Sequence, residues 1–109
     1  GILEMKKIAN LAETHYLAMA PHNAAGPVGV VASIHVMATV PNFLICEGGS
    51  KRGEGLFREP LIFRDGFMEL PQGPGLGIEM DDEVIQQLAQ ESLDMLAFDD
   101  NPLGVGYDS

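Results

Sequence analysis

The stretch that decides the fold is residues 16–47, which read YLAMAPHNAAGPVGVVASIHVMATVPNFLICE. Two short apolar runs, 16–20 and 43–46, flank a longer segment, 28–39, that is apolar on nearly every side. Pro27 suits the first position of a helix. Short runs without polar alternation are typical of parallel strands that are covered on both faces. The stretch therefore predicts a strand, a buried helix and a second strand.

The flanking sequence extends this pattern on one side and changes it on the other. Residues 2–15 carry apolar side chains at helical spacing and are expected to form a helix. Strands of four or five residues between helices are typical of an α/β barrel. Downstream, residues 60–64 and 67–70 flank Asp65-Gly66, a strong hairpin signal. A helix is expected over about 82–97. The expected N-terminal cap of this helix is Asp81. An irregular segment, Gln72–Gly77, precedes the helix.

Two regions follow from this pattern. Residues 1–50 would be the last βα units of a barrel, and residues 51–109 a C-terminal hairpin, acidic helix and tail. The glycine-rich loop Gly48–Gly55 is expected to be mobile, and the tail from Asp99 to be disordered.

Composition narrows the class of protein. The chain has 109 residues, 46% of them hydrophobic, so it needs a packed core; its net charge of −10 disfavours nucleic-acid binding. Its apolar runs fall short of the roughly 20 residues that a membrane-spanning helix needs. A single cysteine, Cys46, excludes an internal disulfide and fits a cytoplasmic location.

Two polar residues stand directly after the predicted strands. His22 follows the first and Glu47 follows the second, so both lie at carboxyl ends, where barrel enzymes have their active sites. Adjacent strands are about 5 Å apart, which allows both side chains to reach one small ligand. An imidazole suits proton transfer near neutral pH, and a carboxyl group can hydrogen-bond a reacting oxygen. The alternative is that Glu47 is a solvated loop residue and His22 has no function.

Other candidates have structural explanations. His15 is expected at the end of the first helix, His35 as a packed polar residue within the second, and Cys46 as a core-filling side chain. The histidines lack the helical spacing of metal ligands.

Several short motifs occur together and in order, and they carry a family resemblance. The chain resembles the last part of the barrel in the mandelate racemase branch of the enolase superfamily. It is most similar to sugar-acid dehydratases of the galactonate dehydratase type. The motifs are Ala20-Pro21-His22-Asn23, Gly26-Pro27, Val40-Pro41-Asn42-Phe43 through Glu47, Phe57-Arg58-Glu59-Pro60, Asp65-Gly66 and Pro74–Asp81.

The resemblance implies the C-terminal portion of a (β/α)7β TIM-like barrel, followed by a short β-hairpin and a helix that return toward a capping domain. Enzymes of this kind remove a proton alpha to a carboxylate, and a Mg²⁺ ion held by three acidic residues stabilises the enediolate. His22 matches the acid/base histidine after the seventh strand. Glu47 matches a glutamate that lies by the substrate carboxylate.

The resemblance also implies what this chain lacks. The Mg²⁺ ligands, the aspartate partner of His22 and most of the capping domain have no counterpart here. We therefore expect a C-terminal fragment of a Mg²⁺-dependent acid-sugar dehydratase, inactive by itself, which associates with the missing portion or with itself. The complete enzyme is expected to be a homo-oligomer that binds a small sugar acid and neither nucleic acid nor membrane.

Two alternatives remain open at this point. A racemase or epimerase of the same superfamily would begin with the same proton abstraction. A non-catalytic assembly module would instead use its acidic helix to bind a basic partner. The identity of the sugar acid is not determined by this sequence.

Overall fold

The computed structural model describes residues 1–23, 26–48 and 55–98. The loop and tail expected to be mobile fall mostly outside these residues. Within them, no helix combines the length and apolar character needed to cross a membrane. The elements in chain order are α1 (Ile2–Thr14), α2 (Pro27–Met37), β1 (Phe63–Arg64), β2 (Phe67–Met68) and α3 (Asp82–Phe98).

The helix α1 ends in a Schellman motif, which the sequence does not announce because no glycine is present. The N–H of Leu17 donates to the carbonyl of Ala12 at 2.9 Å, and the N–H of Tyr16 donates to that of Glu13 at 3.0 Å. Tyr16 takes φ +57°, a left-handed conformation in which glycine is usual. The prediction of a strand from residue 16 is therefore wrong at its start, because Tyr16 belongs to the turn that ends α1.

In place of the two predicted strands, the structure has a short parallel contact between the two segments. Met19 and Phe43 form an isolated parallel bridge. The N–H of Met19 donates to Asn42 O at 2.7 Å, and the N–H of Leu44 donates to Met19 O at 2.9 Å. The parallel order is as predicted, but neither 16–20 nor 43–46 forms a regular strand. Each segment pairs with one neighbour among the described residues, whereas a barrel strand is hydrogen-bonded on both sides.

Packing of α1 against α2 forms the core beside this contact. The buried apolar residues on the two helices are Ala9, Val30, Val31, Val36 and Met37. α2 begins at Pro27, as predicted, and most of its surface is buried or half-buried.

Polar side chains connect the helices to the parallel segments. The side-chain amide of Asn42 donates to Ala9 O at 3.1 Å and to Leu17 O at 2.9 Å. The ammonium of Lys6 donates to Thr39 O at 2.8 Å, just beyond the C-terminal end of α2. The bonds to Leu17 and Thr39 satisfy carbonyls just beyond the ends of α1 and α2. Together these contacts fix the start of both parallel segments.

The hairpin predicted at Asp65-Gly66 is present and shorter than expected. β1 and β2 pair antiparallel, Phe63 with Met68 and Arg64 with Phe67. Asp65 and Gly66 have φ values of +51° and +83°. Positive φ at both central residues is the requirement of a type I′ turn, which Asp-Gly meets.

The segment before α3 is held by a second antiparallel contact. The N–H of Arg58 donates to Glu79 O at 3.0 Å, and the N–H of Asp81 donates to Leu56 O at 2.8 Å. Asp81 caps α3 as predicted, because its carboxylate accepts the N–H groups of Glu83 and Val84 at 3.0 and 3.2 Å.

The irregular segment between β2 and α3 is attached to α2 through one histidine. His35 Nε2 lies 2.9 Å from the carbonyl oxygen of Leu76. The next residue, Gly77, has φ +68°, and a Cβ placed there would lie 2.9 Å from the backbone of Pro71. The turn that presents Leu76 to His35 therefore requires glycine at position 77.

A matched pair of glycines tests this turn. Gly75 has nearly the same φ, +65°, but a Cβ there would meet nothing within 4 Å. We expect Gly75→Ala to cost about 1–2 kcal/mol through backbone strain alone. Gly77→Ala should cost about 1–3 kcal/mol more, because it adds a steric overlap. Thermal unfolding of the protein that contains the chain measures both, and equal shifts would show that the Pro71 contact does not limit position 77.

Candidate active site at the strand ends

His22 and Glu47 lie together at the carboxyl ends of the two parallel segments. The N–H of Glu47 donates to Pro21 O at 3.1 Å, which extends the contact past Met19 and Phe43 with an offset of one residue on the second segment. His22 Nε2 lies 3.4 Å from Glu47 Oε2. These two side chains were expected to be able to reach one small ligand, and the structure brings them within ion-pairing distance of each other.

Solvent reaches both side chains of the pair. The exposed fraction is 82% for the His22 side chain and 54% for that of Glu47. An exposed pair of this kind contributes little to stability. The pair therefore leaves both side chains accessible to solvent or to a ligand and contributes little to holding the fold together.

A backbone donor fixes the carboxylate of Glu47. The N–H of Asn23 donates to Glu47 Oε2 at 2.6 Å, a short charge-assisted hydrogen bond. The same oxygen, Oε2, faces the imidazole of His22. The segment that contains His22 and Asn23 therefore contacts Oε2 of Glu47 through both residues. Neither the composition nor the spacing of the sequence indicated this bond, because a backbone donor leaves no residue-type signal.

The residue after Glu47 is held close to α2. A Cβ at Gly48 would lie 3.2 Å from Cγ1 of Val30, a closer approach than side-chain packing ordinarily allows. Glycine at 48 therefore lets the chain leave the site directly against the first turns of α2. Gly48 was expected to belong to a mobile loop, and its close approach to Val30 leaves no signal in the sequence.

His15 and His35 occupy the structural positions that were predicted for them, whereas Cys46, which was expected to fill the core, is only half-buried. His15 is the C-cap residue of α1, and His35 is half-buried against the segment before α3. Cys46 is half-buried, and burial, together with the neighbouring Glu47 charge, raises the pKa of its thiol. A raised pKa keeps the thiol protonated near neutral pH, which does not suit a nucleophile.

Magnesium does not fit the described residues. In the part of the chain that the structure describes, no three His, Cys, Asp or Glu side chains come close enough together to hold a metal ion. One carboxylate beside an imidazole falls short of the several oxygen ligands that Mg²⁺ takes. The pair can bind, orient and exchange a proton with a ligand, and no step through a metal is derived from it.

A groove of about 360 Å³ lies at the opposite ends of the parallel segments. Exposed apolar side chains, including Leu17, Phe43 and Leu44, line it. The groove and the His22–Glu47 pair thus lie at the two ends of the same structural unit. The titratable residues among those that line the groove are Glu13 and Tyr16.

Comparison with known proteins connects this geometry to a family. A family model described as enolase C-terminal domain-like matches residues 1–84. A D-xylonate dehydratase of Haloferax volcanii is 38% identical over 89 residues, which cover 79% of this chain and 22% of the relative. A D-gluconate/D-galactonate dehydratase of Picrophilus torridus is 37% identical over 98 residues, covering 86% and 25%. The chain spans about a quarter of the length of these relatives.

Solved structures agree with the sequence relatives. A mandelate racemase/muconate lactonizing enzyme from Jannaschia sp. CCS1 matches with a TM-score of 0.73 and 38% identity, covering 80% of this chain and 23% of that one. An enolase from Agrobacterium radiobacter with bound Na and L-malate matches with a TM-score of 0.70 and 33% identity, covering 80% and 26%. These findings confirm the resemblance inferred from the short motifs. The chain belongs to the enolase C-terminal domain-like family.

Proposed function

We propose that this chain supplies the last barrel segments of an acid-sugar dehydratase and that His22 and Glu47 are two of its catalytic residues. The observation that carries the proposal is the meeting of an imidazole and a carboxylate, 3.4 Å apart, at the ends of two parallel segments. The dehydratase names of the relatives support the class of reaction.

The proposed reaction is the loss of water from a 2,3-dihydroxy acid. The bond between C2 and its hydrogen breaks, the C3–oxygen bond breaks, and the released enol becomes a 2-keto-3-deoxy acid. Each turnover moves a proton from carbon and delivers one to the departing hydroxyl. An imidazole can serve in either transfer, and His22 has the exposure needed to reach a bound acid.

Glu47 would act in its protonated form, with Oε1 donating a hydrogen bond to the substrate carboxylate or to the oxygen at which negative charge develops. The N–H of Asn23 and the imidazole of His22 both face Oε2, so Oε2 is directed toward the opposite segment. A fixed hydrogen-bonding group stabilises developing charge without having to reorganise during the reaction. The short bond from Asn23 supports that role, because it holds the carboxylate in one orientation.

The remaining parts of the proposal concern the complete enzyme. Magnesium would be held by residues outside this chain, and the substrate would be a small sugar acid. The exposed apolar side chains of the groove are suited to packing against other barrel segments. Residues 1–50 would then complete the barrel and residues 51–109 would run back toward the capping domain of a cytoplasmic homo-oligomer.

Product analysis of the complete enzyme tests the reaction class. The enzyme is obtained from the open reading frame that contains the codon for Gly1 and is incubated with a panel of sugar acids in D2O with Mg²⁺. We expect a 2-keto-3-deoxy product from at least one acid. Exchange of the C2 hydrogen without loss of water would instead establish a racemase or epimerase. No reaction with any acid would favour the non-catalytic module.

Paired variants test the two residues. We expect His22→Asn to lower kcat by about 10²–10⁴-fold, the usual contribution of a general acid or base. Glu47→Gln should lower kcat by about 10²–10³-fold, as the loss of one group stabilising developing charge does.

Matched controls come from the same chain. His15→Asn and Glu13→Gln remove a histidine and a carboxylate near the end of α1, away from the carboxyl ends of the parallel segments. Both should leave kcat within about twofold of the unchanged enzyme. Full activity in His22→Asn or in Glu47→Gln would remove that residue from the proposed mechanism.

A further inference from the structure

A buried hydroxyl lies behind the candidate active site and has no part in the mechanism described above. Of the buried residues that the structure describes, Ser33 is the polar one, with 5% of its surface exposed. It lies on α2, whose other buried residues are apolar. Placing a hydroxyl in such surroundings is costly unless hydrogen bonds satisfy it.

The contacts of Ser33 lead from the helix to the site. Its hydroxyl donates to Gly29 O at 2.8 Å, and it accepts a longer hydrogen bond of 3.4 Å from the side-chain amide of Asn23. The bond to Gly29 alone would satisfy the hydroxyl hydrogen, as serines in helices often do. The second contact directs an oxygen lone pair toward the residue that follows His22.

Asn23 then connects this hydroxyl to the carboxylate of Glu47. Its side chain contacts Ser33 and its backbone N–H donates to Glu47 Oε2. One residue therefore joins the helix to the carboxylate through two different groups. Rotation or displacement of the Asn23 peptide would move the donor away from Glu47 and change the distance between His22 and Glu47.

We propose that Ser33 is a positioning residue that holds the Asn23 peptide in the orientation that fixes Glu47. This inference deepens the proposed function and rests on it for the effect on catalysis. The Ser33–Asn23 bond is long, so its direct energy is small and its effect is geometric. Small displacements of a positioned group are known to cost large factors in rate.

The first experiment measures the geometry without any assay of the reaction. Hydrogen–deuterium exchange of the peptide that contains Asn23 is compared in the complete enzyme and in its Ser33→Ala variant. We expect the Asn23 amide to exchange about tenfold faster in the variant, because its bond to Glu47 opens more often. An unchanged exchange rate would overturn the proposal, whether or not the enzyme dehydrates sugar acids.

The second experiment measures catalysis and includes a matched control. Ser33→Ala should lower kcat by about tenfold with KM within about twofold, because stabilisation of the transition state is lost rather than uniform binding. Thr39→Val removes another hydroxyl linked to α2, which donates to Val36 O at 2.7 Å and lies near Lys6 rather than Glu47. It should leave kcat unchanged, and an equal loss in both variants would contradict a positioning role.

A double-mutant cycle shows whether Ser33 acts through Asn23. If it does, Asn23→Ala combined with Ser33→Ala should be no slower than Asn23→Ala alone. Multiplying effects would contradict the proposed connection. Asn23→Ala also supplies the test if Ser33→Ala does not fold, since it breaks the same contact from its half-buried side. An inactive parent enzyme would refute the proposed dehydratase, and the exchange measurement would still decide the role of Ser33.

Discussion

The pairing of residues 19–21 with residues 42–47 is the constraint on which the rest of the structure depends. Three backbone hydrogen bonds set the two segments parallel, and the third, from Glu47 to Pro21, lies one residue beyond the register that Met19 and Phe43 set. That register places His22 and Glu47 at the same end and Leu17 and Phe43 at the other. A further shift by one residue at Glu47 would turn its side chain to the other side of the segment and away from His22. The backbone pairing of the two segments therefore determines where the candidate site forms, and the chemistry of its side chains depends on that pairing.

Contacts with the two helices hold the short segments in place. Asn42 binds the carbonyls of Ala9, within α1, and of Leu17, just beyond it, and α2 packs against α1. Many large apolar side chains elsewhere are nevertheless exposed, among them Leu3 and Leu11 on α1 and Ile45 beside the site. Fully burying one such side chain contributes about 1.5–3 kcal/mol. These surfaces are suited to further packing, which fits a chain that spans about a quarter of its relatives.

The elements that could be predicted from the sequence are those set by local chemistry. Pro27 at a helix start, Asp81 as a cap and Asp65-Gly66 in a hairpin each follow from the backbone preferences of those residues. The convergence of His22 and Glu47 followed from strand order alone. The end of α1 could not be predicted in this way, because Tyr16 occupies a left-handed position where glycine is usual and would have indicated the end of the helix. The contacts of Asn23, Ser33 and Gly48 could not be predicted either, because they join distant parts of the chain through a backbone donor, a buried hydroxyl and a close approach.

The most direct test of the account is a crystal structure of the complete enzyme with a sugar acid bound. The account predicts that His22 Nε2 and a Glu47 carboxylate oxygen both lie within hydrogen-bonding distance, about 3 Å, of the same acid molecule. It also predicts that the N–H of Asn23 still donates to Glu47 in that complex. An acid bound elsewhere, or bound with either side chain turned away from it, would contradict the assignment of this pair as the active site.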